Sequence, residues 1–221
     1  MGNQLGDGFY EKIIMLLYGN IHSGHSYKVR SLLLLTKTAH RYQAIDLSLA
    51  RSERPAEFIA ASQFGEVPVL LDDGRSLCQS NAILQYLAQK TKQFCGTNSE
   101  EWQNILEWLA WESNRIGFSV PNLRYCLLWD KQAPEVIAYL RQRAEHDLQV
   151  LDHTLATRDF LIPSGASIAD ISCSAYLYWL HQAELAISDY PHVQSWLHRV
   201  SALPGWQHPN VAMASSIPPA Q

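Results

Sequence analysis

The chain has little of what would tie it to a membrane, a nucleic acid or a disulfide scaffold. Of its 221 residues only 4 are cysteine, at Cys78, Cys95, Cys126 and Cys173. No two form a Cys-X-X-Cys pair and the spacings fit no zinc motif, so reduced thiols are expected and neither a disulfide framework nor a bound metal is. Long hydrophobic runs are missing as well. The longest aliphatic stretch, Leu32 to Leu35, is far short of the ~20 residues that span a bilayer. Met1 to Lys12 is polar and glycine-rich, without the apolar centre of a signal peptide, and Gly6 stands where a myristoylation pattern needs Ser or Thr. Basic excess is also absent. The 17 Lys and Arg against 21 Asp and Glu leave a net charge of −4, opposite to the sign that phosphate neutralisation requires. The expectation is a cytoplasmic protein whose partners include neither nucleic acid nor membrane.

What is present is apolar mass. The chain is 47% hydrophobic and holds 7 Trp, enough to bury a core and to exclude a disordered chain. It falls into two halves of different texture. Ile13 to Tyr18 reads as a buried strand, Tyr27 to Thr36 as a helix, and Tyr42 to Leu47 as a second strand. Pro55 to Ala61 reads as a short helix opened by a proline in its first turn. Val67 to Leu71 is a strand carrying Pro68. Asp72-Asp73-Gly74 signals a hairpin turn, so Arg75 to Cys78 returns. Ser80 to Lys90 is a helix with Ala82, Ile83, Tyr86 and Leu87 on one face. The order β-α-β-α-β-β-α predicts a small sheet with helices packed on it.

After a polar stretch, residues 91–99, the pattern is helical. Trp102, Ile105, Leu106 and Leu109 make one stripe, and Ile137 through Leu155 make another. Ser167-Ile168-Ala169-Asp170 has the form of a capping box, with Asp in place of the usual Glu. Pro191 opens a helix with Val193, Trp196, Leu197 and Val200 inward. The predicted organisation is an α+β chain: an N-terminal extension 1–12, an α/β domain 13–90, a linker 91–99, an all-helical domain 100–209 and a tail 210–221.

Few residues offer chemistry. Pro68 cannot donate to a strand ladder. It marks either an ordinary edge or a cis bond that presents the backbone of Val67 to an extended peptide. Ser80 stands at the mouth of the third helix, where it either caps the helix or joins the free N–H groups there in binding a carboxylate. Ser23 lies in the first strand-to-helix turn, with Ser26 the better placed cap and Ser23 free to donate to an anion. His25, in the same turn, has no acid partner assignable from the sequence. A serine-hydrolase elbow of the form Gly-X-Ser-X-Gly is absent.

Taken in order, these segments resemble the glutathione transferase family. The resemblance runs from Leu17-Tyr18-Gly19-Asn20 through Ser23 to Lys28-Val29-Arg30, then Gly65-Glu66-Val67-Pro68-Val69-Leu70, then Gln79-Ser80-Asn81-Ala82-Ile83-Leu84-Gln85-Tyr86-Leu87. The second half adds Ser167-Ile168-Ala169-Asp170-Ile171, Tyr190-Pro191 to Trp196, and Pro204-Gly205. It covers roughly residues 13 to 209. It implies a thioredoxin-like N-terminal domain and an all-helical C-terminal domain.

Residue by residue, the resemblance implies that Val67 pairs its backbone with the cysteinyl part of glutathione, with Pro68 cis, and that Gln79 and Ser80 hold the γ-glutamyl end. Ser23 matches the catalytic serine of theta-, delta- and zeta-like members, which donates to the sulfur and favours the thiolate. A free thiol has a pKa of ~8.5 and each unit of lowering needs about 1.4 kcal/mol. A hydroxyl and a helix N-terminus together supply one or two units. Gln79 is neutral where many members carry an acid. Gly24-His25 stands where zeta-like members have Ser-Cys, which argues against their isomerase activity, and no Cys occupies the turn for thiol-transferase chemistry. Cys78 is expected in the core. The second substrate would meet a helical wall from Trp108 to Trp129, with Trp111, Arg115, Phe118, Tyr125 and Trp129 as its lining, and Arg115 or Arg124 facing solvent or an anionic group. The implied function is conjugation of the glutathione thiolate to a small, hydrophobic electrophile by a homodimeric detoxifying enzyme that takes glutathione as co-substrate and uses no metal. The alternatives are glutathione-dependent peroxide reduction or reductive dehalogenation, and a non-catalytic interaction protein on the same fold.

Overall fold

The computed structural model describes residues 14–214. The expected extension 1–12, and 215–221 of the expected tail, lie outside the described residues. The first part of the chain builds a four-stranded sheet from β1 (Met15–Gly19), β2 (His40–Ala44), β3 (Val69–Asp72) and β4 (Arg75–Cys78), in the order β2-β1-β3-β4. β1 runs parallel to β2 and antiparallel to β3, and β3 and β4 form a hairpin. Its turn, Asp73-Gly74, has both residues at positive φ, the backbone that a tight hairpin matches to strand twist.

Alternation along the strands divides the core. Leu17 and Leu70 point to one face, where α1 (Gly24–Leu35) and α3 (Ser80–Thr91) pack through Val29, Leu32, Leu33, Ile83, Leu84 and Leu87. Tyr18 and Val69 point to the other face, closed by Ile45 and by Phe58 of α2 (Ala56–Ala61). On α3 the buried face is Ile83, Leu84, Leu87 and Ala88, and Ala82 is exposed. The inward stripe is therefore turned by one residue from the expected one.

The second part is helical: α4 (Ser99–Asn114), α5 (Ile116–Leu128), α6 (Pro134–Leu155), α7 (Ile168–Ser174), α8 (Pro191–Ser201) and α9 (Pro209–Ala212). Asn98 caps α4 by accepting from the Glu101 N–H. The box at α7 forms: Ser167 accepts from the Ala169 N–H, while buried Asp170 accepts from the Ser167 N–H and hydroxyl, the Leu161 N–H and the Trp196 indole. The expected wall from Trp108 to Trp129 is not one helix. It breaks at Arg115, whose ψ of −108° is not helical. Residues 210–213 also depart from the expected tail, because α9 and Met213 are packed into the core, with Ala212 and Met213 almost fully buried.

One apolar core runs through both halves, because α1 and α3 have two buried faces, one on the sheet and one on α7. Inside it sits a polar knot. The Lys28 ammonium, fully buried, bonds Glu112 Oε1, Asn81 Oδ1 and Ser172 Oγ, each at 2.9 Å. Asn81 Nδ2 donates to Glu112 Oε2 at 2.8 Å and to the Leu109 carbonyl at 2.9 Å. This network pins α1, α3, α4 and α7 to one another directly beneath the cleft between the halves. The Glu112 carboxylate occupies the place where a Cβ on residue 117 would be, so Gly117 is what lets it reach the knot.

Candidate functional site

A cleft of about 1090 Å³ lies between the sheet domain and the helices. Among its lining are Ser23, Val67, Pro68, Gln79 and Ser80 from the first half and Phe118, Tyr125 and Trp129 from the second. Residues more than fifty positions apart in the sequence thus share one cavity. Trp111 does not join them. It packs edge-on to Trp108 and lines a separate cavity of about 830 Å³. Arg115 is exposed at the α4–α5 joint, where its carbonyl accepts from the Phe118 and Ser119 N–H groups. Neither lines the cleft, contrary to expectation: α4 reaches it through Glu112 and Ser113, and the break at Arg115 parts the Trp111 face of α4 from the Tyr125 face of α5.

Ser23 sits in a turn fixed from several sides. Its N–H donates to the Asn20 carbonyl at 3.0 Å, and Asn20 is held by its own amide on the Ile45 carbonyl at 2.9 Å. The cap of α1 is Ser23 and not Ser26: Ser23 Oγ accepts from the Ser26 N–H at 3.1 Å. Ser26 is buried, and its hydroxyl accepts from the Asn20 N–H at 3.2 Å. The helix starts three residues earlier than expected, so the Ser23 hydroxyl stands at the helix mouth, where the backbone dipole favours negative charge.

Val67-Pro68 is a cis peptide. Gln79, not Ser80, is the N-cap of α3, and Ser80 is its first residue. Gln79 has φ +68°, a backbone that a non-glycine residue adopts at a cost, and its side-chain amide donates to Glu66 Oε2 at 3.1 Å. Cys78 ends β4 and packs against the core cluster of Tyr18, Ile45, Phe58 and Val69, as expected, but it is only half-buried and also lines the cleft.

Three further groups reach the cleft that the sequence did not single out as lining it or left unassigned. Glu112 comes up from the polar knot. Burial pushes its carboxyl up, but the charges of Lys28 and His25 and the bonds from Lys28 and Asn81 outweigh it and hold the group below the ordinary carboxylate range. His25 has an enclosed Nδ1 with no hydrogen-bond partner. Burial and the nearby Lys28 charge lower its pKa to about 4, with Glu112 opposing, so the ring is neutral at pH 7. Arg124 is buried, donates to the His22 carbonyl and to Gln182 Oε1 at 2.7 Å each, and lies between the Trp129 and Trp179 rings. Its burial excludes the solvated face, and from the cleft wall it braces the turn that carries Ser23.

The cleft therefore has two characters. One end offers a hydroxyl, two helix starts and the backbone of the cis Val67-Pro68 segment ahead of β3. The other offers Phe118, Tyr125 and Trp129, each exposed by two-fifths or more, an unusual apolar cluster to leave uncovered on a folded chain. Among the described residues no group of three or more metal-ligating side chains comes together, and no helix is long and apolar enough to cross a membrane.

Residues 15–89 match the family description "Glutathione S-transferase, N-terminal domain", and residues 119–204 match "Glutathione S-transferase, C-terminal domain". The disulfide-bond oxidoreductase YfcG of Escherichia coli (strain K12) is 30% identical over 203 residues, covering 87% of this chain and 92% of that one. Glutathione S-transferase F10 of Arabidopsis thaliana is 25% identical, covering 80% and 89% respectively. A crystal structure of a glutathione S-transferase from Xanthobacter autotrophicus Py2 superposes with a TM-score of 0.80 at 29% identity, over 91% of this chain and all of that one.

Proposed function

This chain belongs to the glutathione S-transferase family, and from that premise we propose that its cleft binds glutathione and transfers the thiolate to a small hydrophobic electrophile. The observation that carries the reading is the convergence of Ser23, cis Val67-Pro68 and the Gln79-Ser80 helix start on one cavity. An extended tripeptide fits these fixtures in one direction. Its cysteinyl main chain pairs with the Val67 backbone, its γ-glutamyl carboxylate meets the Ser80 end of α3, and its sulfur faces Ser23 at the mouth of α1. There the hydroxyl and the helix dipole favour thiolate over thiol, and the thiolate is the nucleophile. Phe118, Tyr125 and Trp129 take the apolar body of the electrophile beside it. The neutral Gln79 is compensated by Glu66, whose carboxylate it holds at 3.1 Å within the same cleft and which meets the α-ammonium. The working unit is a homodimer, as the family leads one to expect, in the cytoplasm and in a detoxifying role.

Turnover of an aryl halide with glutathione tests this reading. The Ser23→Ala variant should lose about ten- to a hundredfold in kcat/KM, the equivalent of one or two units of thiol pKa. An unchanged rate removes Ser23 from the reaction.

The similarity to YfcG favours a second reading of the same site. Glutathione thiolate formed at Ser23 attacks one sulfur of a disulfide substrate, a mixed disulfide forms and the other sulfur leaves as thiolate. A second glutathione then releases the product thiol and forms glutathione disulfide. Comparing a small disulfide, a hydroperoxide and an aryl halide as co-substrates separates the chemistries. Failure of the protein to be retained on immobilised glutathione would instead favour a non-catalytic interaction protein.

A further inference from the structure

His22 stands where the two ends of the cleft meet. It precedes Ser23 in the chain, so the two Cα atoms are ~3.8 Å apart. Its imidazole meets the Trp129 ring with centroids 5.3 Å apart and planes tilted by 51°. Trp129 in turn contacts Tyr125, at 6.0 Å between centroids. His22, Ser23, Tyr125 and Trp129 all line the cleft. The backbone beneath the ring is held on both sides. The His22 N–H donates to Asn20 Oδ1 at 2.9 Å, and its carbonyl accepts from Arg124 Nη1 at 2.7 Å.

The other polar side chains at the helical end are engaged. Arg124 bonds the His22 carbonyl and Gln182. The Asn122 amide donates to the Phe118 carbonyl at 2.7 Å, and the Ser113 hydroxyl to the Leu109 carbonyl at 3.0 Å. Glu112 is held by Lys28 and Asn81. Among the described residues none bonds a ring nitrogen of His22. Desolvation at the cleft wall and the Arg124 charge hold its pKa below the ordinary histidine value, so at pH 7 the ring is mainly neutral and carries one N–H donor. That donor lies between the place of the sulfur and the aromatic bed of the electrophile.

We propose that His22 is a catalytic residue of the electrophile half of the site: its ring N–H donates to an oxygen that gains negative charge as the thiolate adds, which makes aryl alkenes conjugated to a carbonyl the favoured substrates. The inference rests on the reading of the cleft as a glutathione site. In this step the sulfur forms a bond to the β-carbon of the alkene, the π pair moves to the carbonyl oxygen as an enolate, and no group leaves. The proton lost when the thiol ionised returns from solvent to the α-carbon. The aryl group lies on Trp129 and Tyr125, with the oxygen at His22. Hydrogen bonds to a charged acceptor are the strong ones. One that strengthens only as the charge develops acts on kcat rather than on KM.

Two electrophiles that share a phenyl ring test the proposal on the whole protein. Benzylideneacetone develops charge on its carbonyl oxygen, benzyl chloride on a departing chloride. His22→Phe keeps an aromatic ring beside Trp129 and removes the donor. In that variant the ratio of kcat/KM for benzylideneacetone to that for benzyl chloride should fall about tenfold, through kcat. His22→Gln, whose side-chain amide is again a donor, should recover part of the ratio. A merely structural role would lower both rates alike and leave the ratio where it was. An unchanged ratio in His22→Phe, or a wild-type protein that binds glutathione and does not turn over benzylideneacetone, would overturn the inference. If wild type is not retained on immobilised glutathione, the reading of the cleft falls first, and that outcome is distinct from both.

Discussion

Gly24 and Tyr176 are fitted to each other across the boundary between the two halves, the ring of one resting where the other would carry its Cβ. A methyl group at 2.6 Å from a ring carbon cannot be absorbed without moving the ring. Gly24→Ala should therefore destabilise the fold by about 1–3 kcal/mol, the usual cost of overpacking, and lower kcat/KM together with it. Urea denaturation and glutathione turnover check this. Wild-type stability in that variant would mean the ring has room that the structure does not show.

Lys28 and Glu112 form an ion pair that is buried at both ends, with side-chain exposures of 0% and 1%. Removing one partner leaves an uncompensated charge in the core. Lys28→Met should cost about 3–5 kcal/mol in denaturant unfolding, and adding Glu112→Gln should restore part of it. A loss below about 1 kcal/mol in the single variant would contradict the pairing.

His25 gives the stability a defined pH dependence. Its pKa is lowered from about 6.5 in the unfolded chain to about 4 in the folded one. Between those values the unfolded chain binds the extra proton and the folded one does not, so stability falls as the pH falls. The contribution is complete above pH 6.5, declines below it and levels off near pH 4, amounting to roughly 3 kcal/mol at most. His25→Phe, which retains an aromatic edge against Tyr176, should show a shallower fall across this window. Parallel curves for the two proteins would show that His25 is not the group responsible.

Glu66 carries the negative charge that residue 79 lacks. Exposed pairs contribute about 0.2–1 kcal/mol, so Glu66→Gln should raise the glutathione KM by up to roughly fivefold and leave kcat unchanged. The effect should shrink with added salt. An equal KM at low ionic strength would place the ammonium elsewhere.

The sheet half of the fold was legible in the sequence because its signals are local: alternation in the strands, the Asp73-Gly74 turn, and Pro68. Ser23, Val67 and Ser80 drew notice from turn, proline and helix-start signals and Gln79 only through the family resemblance, and all four line one cleft. Cap assignment was less legible, since Ser23 and Ser26 are equally good capping residues and only the buried contact of Ser26 with Asn20 decides between them. What the sequence could not show is which helix face meets which turn. Trp111 and Tyr125 look alike on a helical wheel, and a non-helical ψ at Arg115 sends them to different cavities. Tyr176 lacked any signal of its own: it follows a capping box in an apolar run and reads as core, and the fit of its ring to Gly24 becomes visible only when the two halves are brought together. Lys28 was visible as a charge on an apolar helix, but its partners Asn81, Glu112 and Ser172 are supplied by three other helices.

A crystal structure with glutathione bound is the most direct measurement of the central claim. The account predicts the tripeptide along Val67, its γ-glutamyl carboxylate at the Ser80 end of α3 and its sulfur within hydrogen-bond distance of Ser23 Oγ. Glutathione seated elsewhere, or in the cleft with its sulfur turned away from Ser23, would contradict it.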